Sequence, residues 1–262
     1  MPATYTHDRF GKDVYRHLSG DLKKVIRKEK KLYLTGLQGP DIFYFYHPLY
    51  TNPIVSMGHK IHERNADEFL IRCRSQYQKR PEGGLMAYLM GFACHFLLDS
   101  ACHPYINEYA EQIGVTHAKQ EAELDRVFLL KDHKNPFTYD RSAGICPVTP
   151  GNKVILRCYP NIALEDLVEA LKGMKLYSNL LNQQHVLLRN GLLLGMKAMG
   201  VEVAISDQVL RKKVDPGAKS AVENLLLLYE NTLDEAPDLL ENLADYLSQG
   251  AKLSGRYHRN FC

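Results

Sequence analysis

The run Gly91-Phe92-Ala93-Cys94-His95-Phe96-Leu97-Leu98-Asp99-Ser100-Ala101-Cys102-His103-Pro104-Tyr105 carries three ionisable side chains, His95, Asp99 and His103, through an otherwise apolar segment at successive steps of four. An α-helix completes a turn in about 3.6 residues, so each step of four moves only about 40° around its axis. The three groups therefore leave one face of one helix, spread over roughly 12 Å along it. That spread is too long for a single ion to collect all three. It suits neighbouring ions, with Asp99 in the middle free to offer both carboxylate oxygens. A buried His–Asp–His relay is the bland alternative. Either way, a carboxylate among Phe92, Phe96, Leu97 and Leu98 has to be neutralised, because an unpaired buried charge is costly.

Upstream, further ligand-type residues stand singly. His7 precedes an amphipathic stretch through Phe10, Val14, Tyr15 and Leu18 that stops near Ser19-Gly20, and on its own it reads as a surface residue. A short helix through Leu22, Val25 and Ile26 follows, with a basic opposite face that reads as solvated. Gly36, Gly39 and Pro40 punctuate a turn, and Asp41 enters the aromatic run Ile42–Tyr46. Asp41 fits a turn-former or helix cap and equally an inward, partnered carboxylate. Residues 47–57 read as a loop. A helix is expected to open at Gly58-His59-Lys60-Ile61-His62 and to continue through Phe69 and Leu70 to Tyr77. The central helix is expected from Leu85 to about Cys102, with Pro104 marking its end.

Downstream, Gly114 breaks the pattern and Thr116 is placed to cap a helix that carries His117 and Glu121 four apart, with Asp125 one turn further. Taken alone, Glu121, Glu123 and Asp125 would be an exposed acidic face. Residues 132–160 read as a long irregular connection. From 161 to 262 the chain is helical again: one helix opens at Asn161–Glu165, a longer one runs through Leu176, Leu180, Leu181, His185, Leu188 and Leu192, and a last one runs from about Ala218 to Tyr246. The leucine spacing reads as core packing, and this half contains no cluster of ligand residues.

The chain has 262 residues, net charge +3 with His neutral, and no Trp. The length suffices for a full core, and the charge is too mild to argue for nucleic acid. No stable nucleic-acid complex is expected. The N-terminal residues lack a basic region followed by an apolar run, and the longest apolar segments are broken by His95 or by Arg189 and Asn190, so neither an export signal nor a transmembrane segment is expected. Six cysteines without a C-x-x-C pair point to free thiols in a reducing cytoplasm, with Cys94 and Cys102 as small core residues. Nitrogen and carboxylate donors without thiolates favour zinc over manganese or iron. The sequence says nothing of the oligomeric state.

Gly39-Pro40-Asp41, the Gly58 to His62 segment, His95-x3-Asp99 followed by His103, and His117-x3-Glu121 together resemble the zinc-dependent phospholipases C and their relatives, the secreted single-strand-specific nucleases. The motifs cover roughly the first half of the chain, and their combination is far more specific than any one of them. The resemblance implies an all-α, single-domain helical bundle of the phospholipase C/nuclease type over 1–262, with the metal site between central helices. It divides the chain into a metal-ligand half at 1–131, the connection at 132–160 and a helical half at 161–262. It implies three zinc ions, two at minimum: Asp41, His62, His95 and Asp99 for the first, His103, His117 and Glu121 for the second, and Asp99 bridging to a third held by His7 and the mature N-terminal amine. Asp41 would be the base or orienting group, and Asp125 a partner standing behind Glu121.

The secreted members expose a ligating tryptophan amine, which this sequence lacks. Removal of Met1 would leave the Pro2 amine, five residues before His7, to complete the third site. The implied activity is hydrolysis of a phosphodiester, a phospholipid or another small phosphoester, by a metal-activated water. The alternatives are a single-strand nuclease, using aromatics such as Tyr44, Tyr46 or Tyr105 as stacking platforms, and a non-catalytic metal-binding protein of the same fold.

Overall fold

The computed structural model describes residues 4–18, 20–48, 50, 52–180, 185–198 and 207–262. It is all-α, with no strand among the described residues. Its helices are α1 (Thr4–His17), α2 (Gly20–Lys28), α3 (Lys30–Gly36), α4 (Pro53–Glu63), α5 (Ala66–Lys79), α6 (Gly83–Ile113), α7 (His117–Lys131), α8 (Asn152–Ile155), α9 (Leu164–Leu180), α10 (Val186–Ala198) and α11 (Pro216–Ser248). Short 3₁₀ segments lie at Gly39–Phe45, Leu156–Cys158 and Gly255–Tyr257.

α6 is the axis of the molecule. It is apolar nearly all the way round, and a helix of that kind is stable in water only when other elements cover it. Here α3 and α11 pack along it most extensively, with α1 and α2 beside them. Among the described residues it is also the one helix long and apolar enough to cross a membrane, but 94% of its apolar window is buried inside the protein. The approach of α3 is close because glycines face each other at the crossing. A Cβ on Gly36 would lie 2.2 Å from the Tyr88 carbonyl oxygen, and one on Gly91 would lie 2.2 Å from that of Tyr33. That crossing sets the 3₁₀ segment Gly39–Phe45 directly over His95.

The central helix is longer than its sequence suggests. Pro104 lies inside α6, which runs on to Ile113 and ends on the left-handed Gly114 (φ 74°). Proline removes one ladder hydrogen bond, to the Ser100 carbonyl, but it ends a helix only when nothing else holds the following turns. Here the Arg256 guanidinium braces the preceding turn from outside, donating to Ser100 Oγ at 2.9 Å and to the Leu97 carbonyl at 3.1 Å.

The loop at 47–57 is likewise shorter than expected. Asn52 Oδ1 accepts from the Ile54 and Val55 amides at 3.1 and 2.9 Å, and Pro53 takes the first helical position, so α4 starts five residues before Gly58. α4 then stops at Glu63, and α5 is a separate helix.

In the second half, Leu176 and Leu180 belong to α9. Leu181 lies outside the described residues, as does the side chain of Leu192. The core-packing reading of this leucine run is corrected. Leu176, Leu180, Leu187, Leu188 and Leu194 are exposed, Leu187 to 86%: α9 packs chiefly against Gly39–Phe45, and α10 packs extensively against none of the described elements.

The chain after α11 returns to α6 and α4. The Arg259 carbonyl accepts from the Ala66 amide at 2.9 Å, and the Phe261 amide donates to the His62 carbonyl at 3.2 Å. Phe261 is completely buried among Phe92, Phe96, His62 and His95.

Candidate metal centre

The structure gathers all eight described candidates, His7, Asp41, His62, His95, Asp99, His103, His117 and Glu121, around the stripe on α6. Pro2 lies outside the described residues. α6 supplies His95, Asp99 and His103. α1 brings in His7, the 3₁₀ segment Asp41, the last turn of α4 His62, and the first turns of α7 His117 and Glu121. Seven of the eight are buried, His117 being half-buried. His7, expected at the surface if read alone, is only 4% exposed because α1 lies along α6.

Asp99 is the hub. Its Oδ2 stands 3.0 Å from His95 Nε2 and 3.8 Å from His62 Nε2, while its Oδ1 stands 3.1 Å from His7 Nε2 and 3.4 Å from His103 Nε2. Asp41 Oδ1 lies 3.0 Å from His62 Nε2 and 4.0 Å from His95 Nε2. Glu121 Oε1 lies 3.4 Å from His103 Nε2 and 3.2 Å from His117 Nε2. Three sets with all donor atoms within 4.8 Å of one another result: His7, His95 and Asp99; Asp41, His62 and His95; His103, His117 and Glu121.

Two observations fit these sets to metal rather than to a hydrogen-bonded relay. Donors about 2.0–2.1 Å from a tetrahedral ion are about 3.3–3.4 Å from each other, and the separations above bracket that value. Moreover, His95 Nε2, His103 Nε2 and His117 Nε2 are buried without a hydrogen-bond partner despite their short distances to carboxylate oxygens. A relay would aim each N–H at its acceptor. Atoms that are close yet misaligned, with their lone pairs converging, are what a shared cation requires.

The remaining ring positions are held from behind. His62 Nδ1 lies 2.8 Å from Tyr44 Oη and 3.1 Å from the Gly58 carbonyl, and His95 Nδ1 lies 3.2 Å from the Leu37 carbonyl. These contacts leave Nε2 as the inward donor on both rings. The Tyr44 ring is buried against His59 and His62, which leaves it no open face for stacking. Tyr46 spends its hydroxyl on Asp166, and Tyr105 accepts from Asn224.

Gly39 explains the Gly-Pro-Asp motif. It has φ +51°, and a Cβ there would sit 2.2 Å from the His95 ring. Gly39→Ala is expected to lower the denaturation midpoint by an amount equivalent to about 2–5 kcal/mol through strain and overpacking, with metal binding weakened as His95 is displaced. An unchanged urea midpoint would refute this account of the motif.

Asp125 does not stand behind Glu121. Fully buried, it accepts from the Thr6 amide at 2.8 Å, from Thr6 Oγ1 at 2.7 Å and from the Tyr5 amide at 3.4 Å, with Arg141 Nη1 at 3.9 Å. It anchors the first turn of α1, one residue before His7.

Charge in the metal-free centre is strongly coupled. Burial alone would raise the carboxyl pKa values, and at Asp99 the surrounding imidazoles reverse this. Asp99 is held well down by His103, His95 and His7, Asp41 is held down with help from His62 and His95, and Glu121 with help from His117 and His103. Burial keeps His95 below its ordinary pKa. Burial also opposes charge on His62 and His103. The Asp41 and Asp99 carboxylates nonetheless raise His62 to about 9, and Asp99, a contact with Cys262 and Glu121 raise His103 to about 10.

Both rings lie above the ordinary 6.5, so the stability they contribute is complete below about pH 6.5 and is lost as pH rises through 9 and 10. A metal replaces these protons. The metal-free protein is therefore expected to lose stability from neutral to pH 10 while the zinc-loaded protein does not, and zinc uptake at pH 7 should release about two protons from these rings. Urea unfolding across pH and calorimetry in buffers of different ionisation enthalpy measure both. Parallel pH profiles for the two forms would contradict the coupling.

A family model described as zinc dependent phospholipase C matches residues 6–172 of the chain, a span that includes every described ligand candidate. The chain belongs to this family. Its membership makes zinc the cation with which the three donor sets are to be tested and a hydrolase the expected enzyme class. No curated protein and no solved structure matches the chain. The match stops short of α11 and of the segment that brings Phe261 and Cys262 to the centre.

Sequence reasoning missed those two residues and the role of Tyr44. Nothing in local periodicity marks them. The only signal was negative: an apolar residue beside a cysteine, distant from every motif.

Proposed function

We propose that this chain is a zinc-dependent phosphodiester hydrolase of the phospholipase C type, with three ions, two at minimum, on the helix α6 stripe. The observation that supports it most is the convergence of four imidazoles on the two oxygens of Asp99. Asp41, His62, His95 and Asp99 Oδ2 would hold the first ion, His103, His117 and Glu121 the second, and Asp99 Oδ1 with His7 and the Pro2 amine the third. When bound, zinc supplies Lewis acidity, acidifying a water and neutralising the charge of the diester.

The protein's own groups do the rest. Asp99 fixes the spacing of the donors and supplies negative charge to both ends. Tyr44 and the Gly58 carbonyl orient His62. Asp41 is held too acidic to store a proton at neutral pH, so its part is to ligate and to orient the attacking water by accepting its hydrogen bond. His95, kept neutral by burial, donates a lone pair without competing protonation. The reading places the protein in a reducing cytoplasm, where its six free thiols persist.

Metal analysis of the purified chain, followed by a panel of phospholipid, nucleotide and chromogenic diesters, tests this. Two to three zinc ions per chain and turnover of a phospholipid or small diester, lost in His95→Ala and Glu121→Ala, are expected. One zinc or none would defeat the multi-ion site. A zinc-full protein inert on every diester would favour the non-catalytic alternative, and turnover confined to single-stranded nucleic acid would favour the nuclease. Mass spectrometry finding Met1 retained on the active, fully loaded protein would remove Pro2 from the third site.

A further inference from the structure

We propose that the exposed leucines of α9 and α10 dock the protein on an anionic phospholipid surface, with the open side of the metal centre turned toward it. The proposal rests for its purpose on the phosphodiester hydrolase reading above. It names the form in which the substrate is met, lipid in a bilayer rather than a dissolved diester.

Eleven large apolar side chains are exposed among the described residues, and five of them, Leu176, Leu180, Leu187, Leu188 and Leu194, lie on these two helices. The others come one each from six different parts of the chain. Single exposed apolar residues are ordinary on a protein surface, whereas a cluster marks a contact.

The packing brings the leucines together. Leu176 and Leu180 are one turn apart at the end of α9, where Asn179 Nδ2 donates to Ser142 Oγ at 3.4 Å. α10 rests on the same stretch of the connection through the Arg189 guanidinium, which is 5.8 Å from the centre of the Phe137 ring. Arg189 is only 5% exposed, so its side of α10 faces the protein. A helix turns by about 100° per residue, which sends Leu187, Gly191 and Leu194 out about 140–160° away from Arg189. Nothing lies within 4 Å of where a Cβ on Gly191 or Gly195 would be.

This face adjoins the centre. α9 packs along the 3₁₀ segment that carries Asp41. Beyond α10 the chain returns at Asp207, whose Oδ2 accepts from Thr116 Oγ1 at 2.8 Å, one residue before His117. His117 is the half-buried donor, so the centre opens on that side.

Charge selects the occupant. From Ala170 to Val201 the sequence holds no Asp or Glu. Lys172 before the leucines and Arg211, Lys212 and Lys213 after them are exposed. A second copy of this chain, paired about a two-fold axis, would set these like charges against each other. An anionic bilayer instead takes the leucines into its interfacial region and the bases among its headgroups. With 13 residues, α10 is about 20 Å long, too short to span the hydrocarbon, so it lies in the plane of the interface.

Sedimentation of the zinc-loaded full chain with vesicles tests this. Binding is expected to vesicles of equal parts phosphatidylcholine and phosphatidylserine, and to be weaker by about tenfold or more on phosphatidylcholine alone. Leu187→Asp combined with Leu194→Asp should weaken binding by about tenfold or more at an unchanged urea midpoint. The same variant should lose more turnover on vesicular lipid than on a water-soluble diester. Lys24→Gln with Lys28→Gln, on the basic face of α2, should bind vesicles as the parent chain does.

Undiminished binding of the leucine variant, equal binding to neutral and anionic vesicles, or loss of binding in the α2 variant would overturn the proposal. So would a leucine variant that is monomeric by light scattering where the parent chain is dimeric, because the face would then join two copies. Vesicle binding without turnover of any diester would remove the hydrolase reading and leave the docking surface standing. Turnover of soluble diesters without vesicle binding would do the reverse.

Discussion

Asp99→Asn is expected to empty most of the centre and to lower diester turnover by on the order of 1000-fold or more. The amide keeps the size of the side chain but removes the negative charge on which four imidazoles converge, and it replaces one oxygen donor with an N–H₂ group that cannot ligate. Oδ2 serves the side of His95 and His62 and Oδ1 the side of His7 and His103, so either amide orientation disables one end. In the metal-free protein the same change leaves raised imidazoles such as His103 without their main compensating charge, so the folded state should also weaken. Zinc content by mass spectrometry, read beside the rate, is the check. A variant with the wild-type zinc complement would show that Asp99 is not the hub. Glu123→Gln is a useful companion. Glu123 is on α7 and pairs with Arg126, away from the donors, and its variant should keep its metal.

The second large effect is expected at Asp125, and it is chiefly one of stability. Asp125→Ala removes the acceptor for two backbone amides and one hydroxyl at the start of α1 and strands the buried Arg141 guanidinium. Breaking one half of a buried ionic contact costs about 3–5 kcal/mol. Burial pushes the Asp125 carboxyl up and the Arg141 guanidinium down, each toward its neutral form, so desolvation outweighs their mutual attraction at 3.9 Å. The pair therefore fixes geometry more than it adds stability, and removing both partners together should cost less than removing one. A double-mutant cycle of Asp125→Ala with Arg141→Met, read by urea unfolding of the metal-free protein, measures this. Additive losses would deny the coupling. Because Thr6 is adjacent to His7, Asp125→Ala should also lose the ion on the His7 side first, leaving the Asp41 and Glu121 sets loaded.

The ligand stripe on α6 and the His117/Glu121 pair were legible because both are local. A step of four along a helix fixes which side chains share a face whatever the rest of the chain does. The same locality made the boundaries unreliable. Pro104 signals an end, but Arg256 comes from 152 residues further along to brace that part of α6, and Asn52 with Pro53 starts α4 earlier than its histidines suggest. The leucines of α9 and α10 have helical spacing, but spacing cannot say whether a partner covers them, and here none of the described elements does so for Leu187 or Leu194.

The amino-acid sequence by itself determined the central helix, its His95, Asp99 and His103 stripe and the His117/Glu121 pair, because helical periodicity and residue chemistry are carried within a few turns, while the all-α bundle and the full donor set followed from the resemblance of the combined motifs. Only the tertiary structure decided which donors meet and in what order around Asp99. It also buried His7, turned Asp125 from Glu121 to the start of α1, and laid Phe261 against His62 and His95. Some of those contacts, Thr6 with Asp125 and His62 with Phe261 among them, join residues more than a hundred positions apart. They follow from how α1, α7 and the segment after α11 cover the apolar surface of α6, an outcome of the whole packing that no local pattern records.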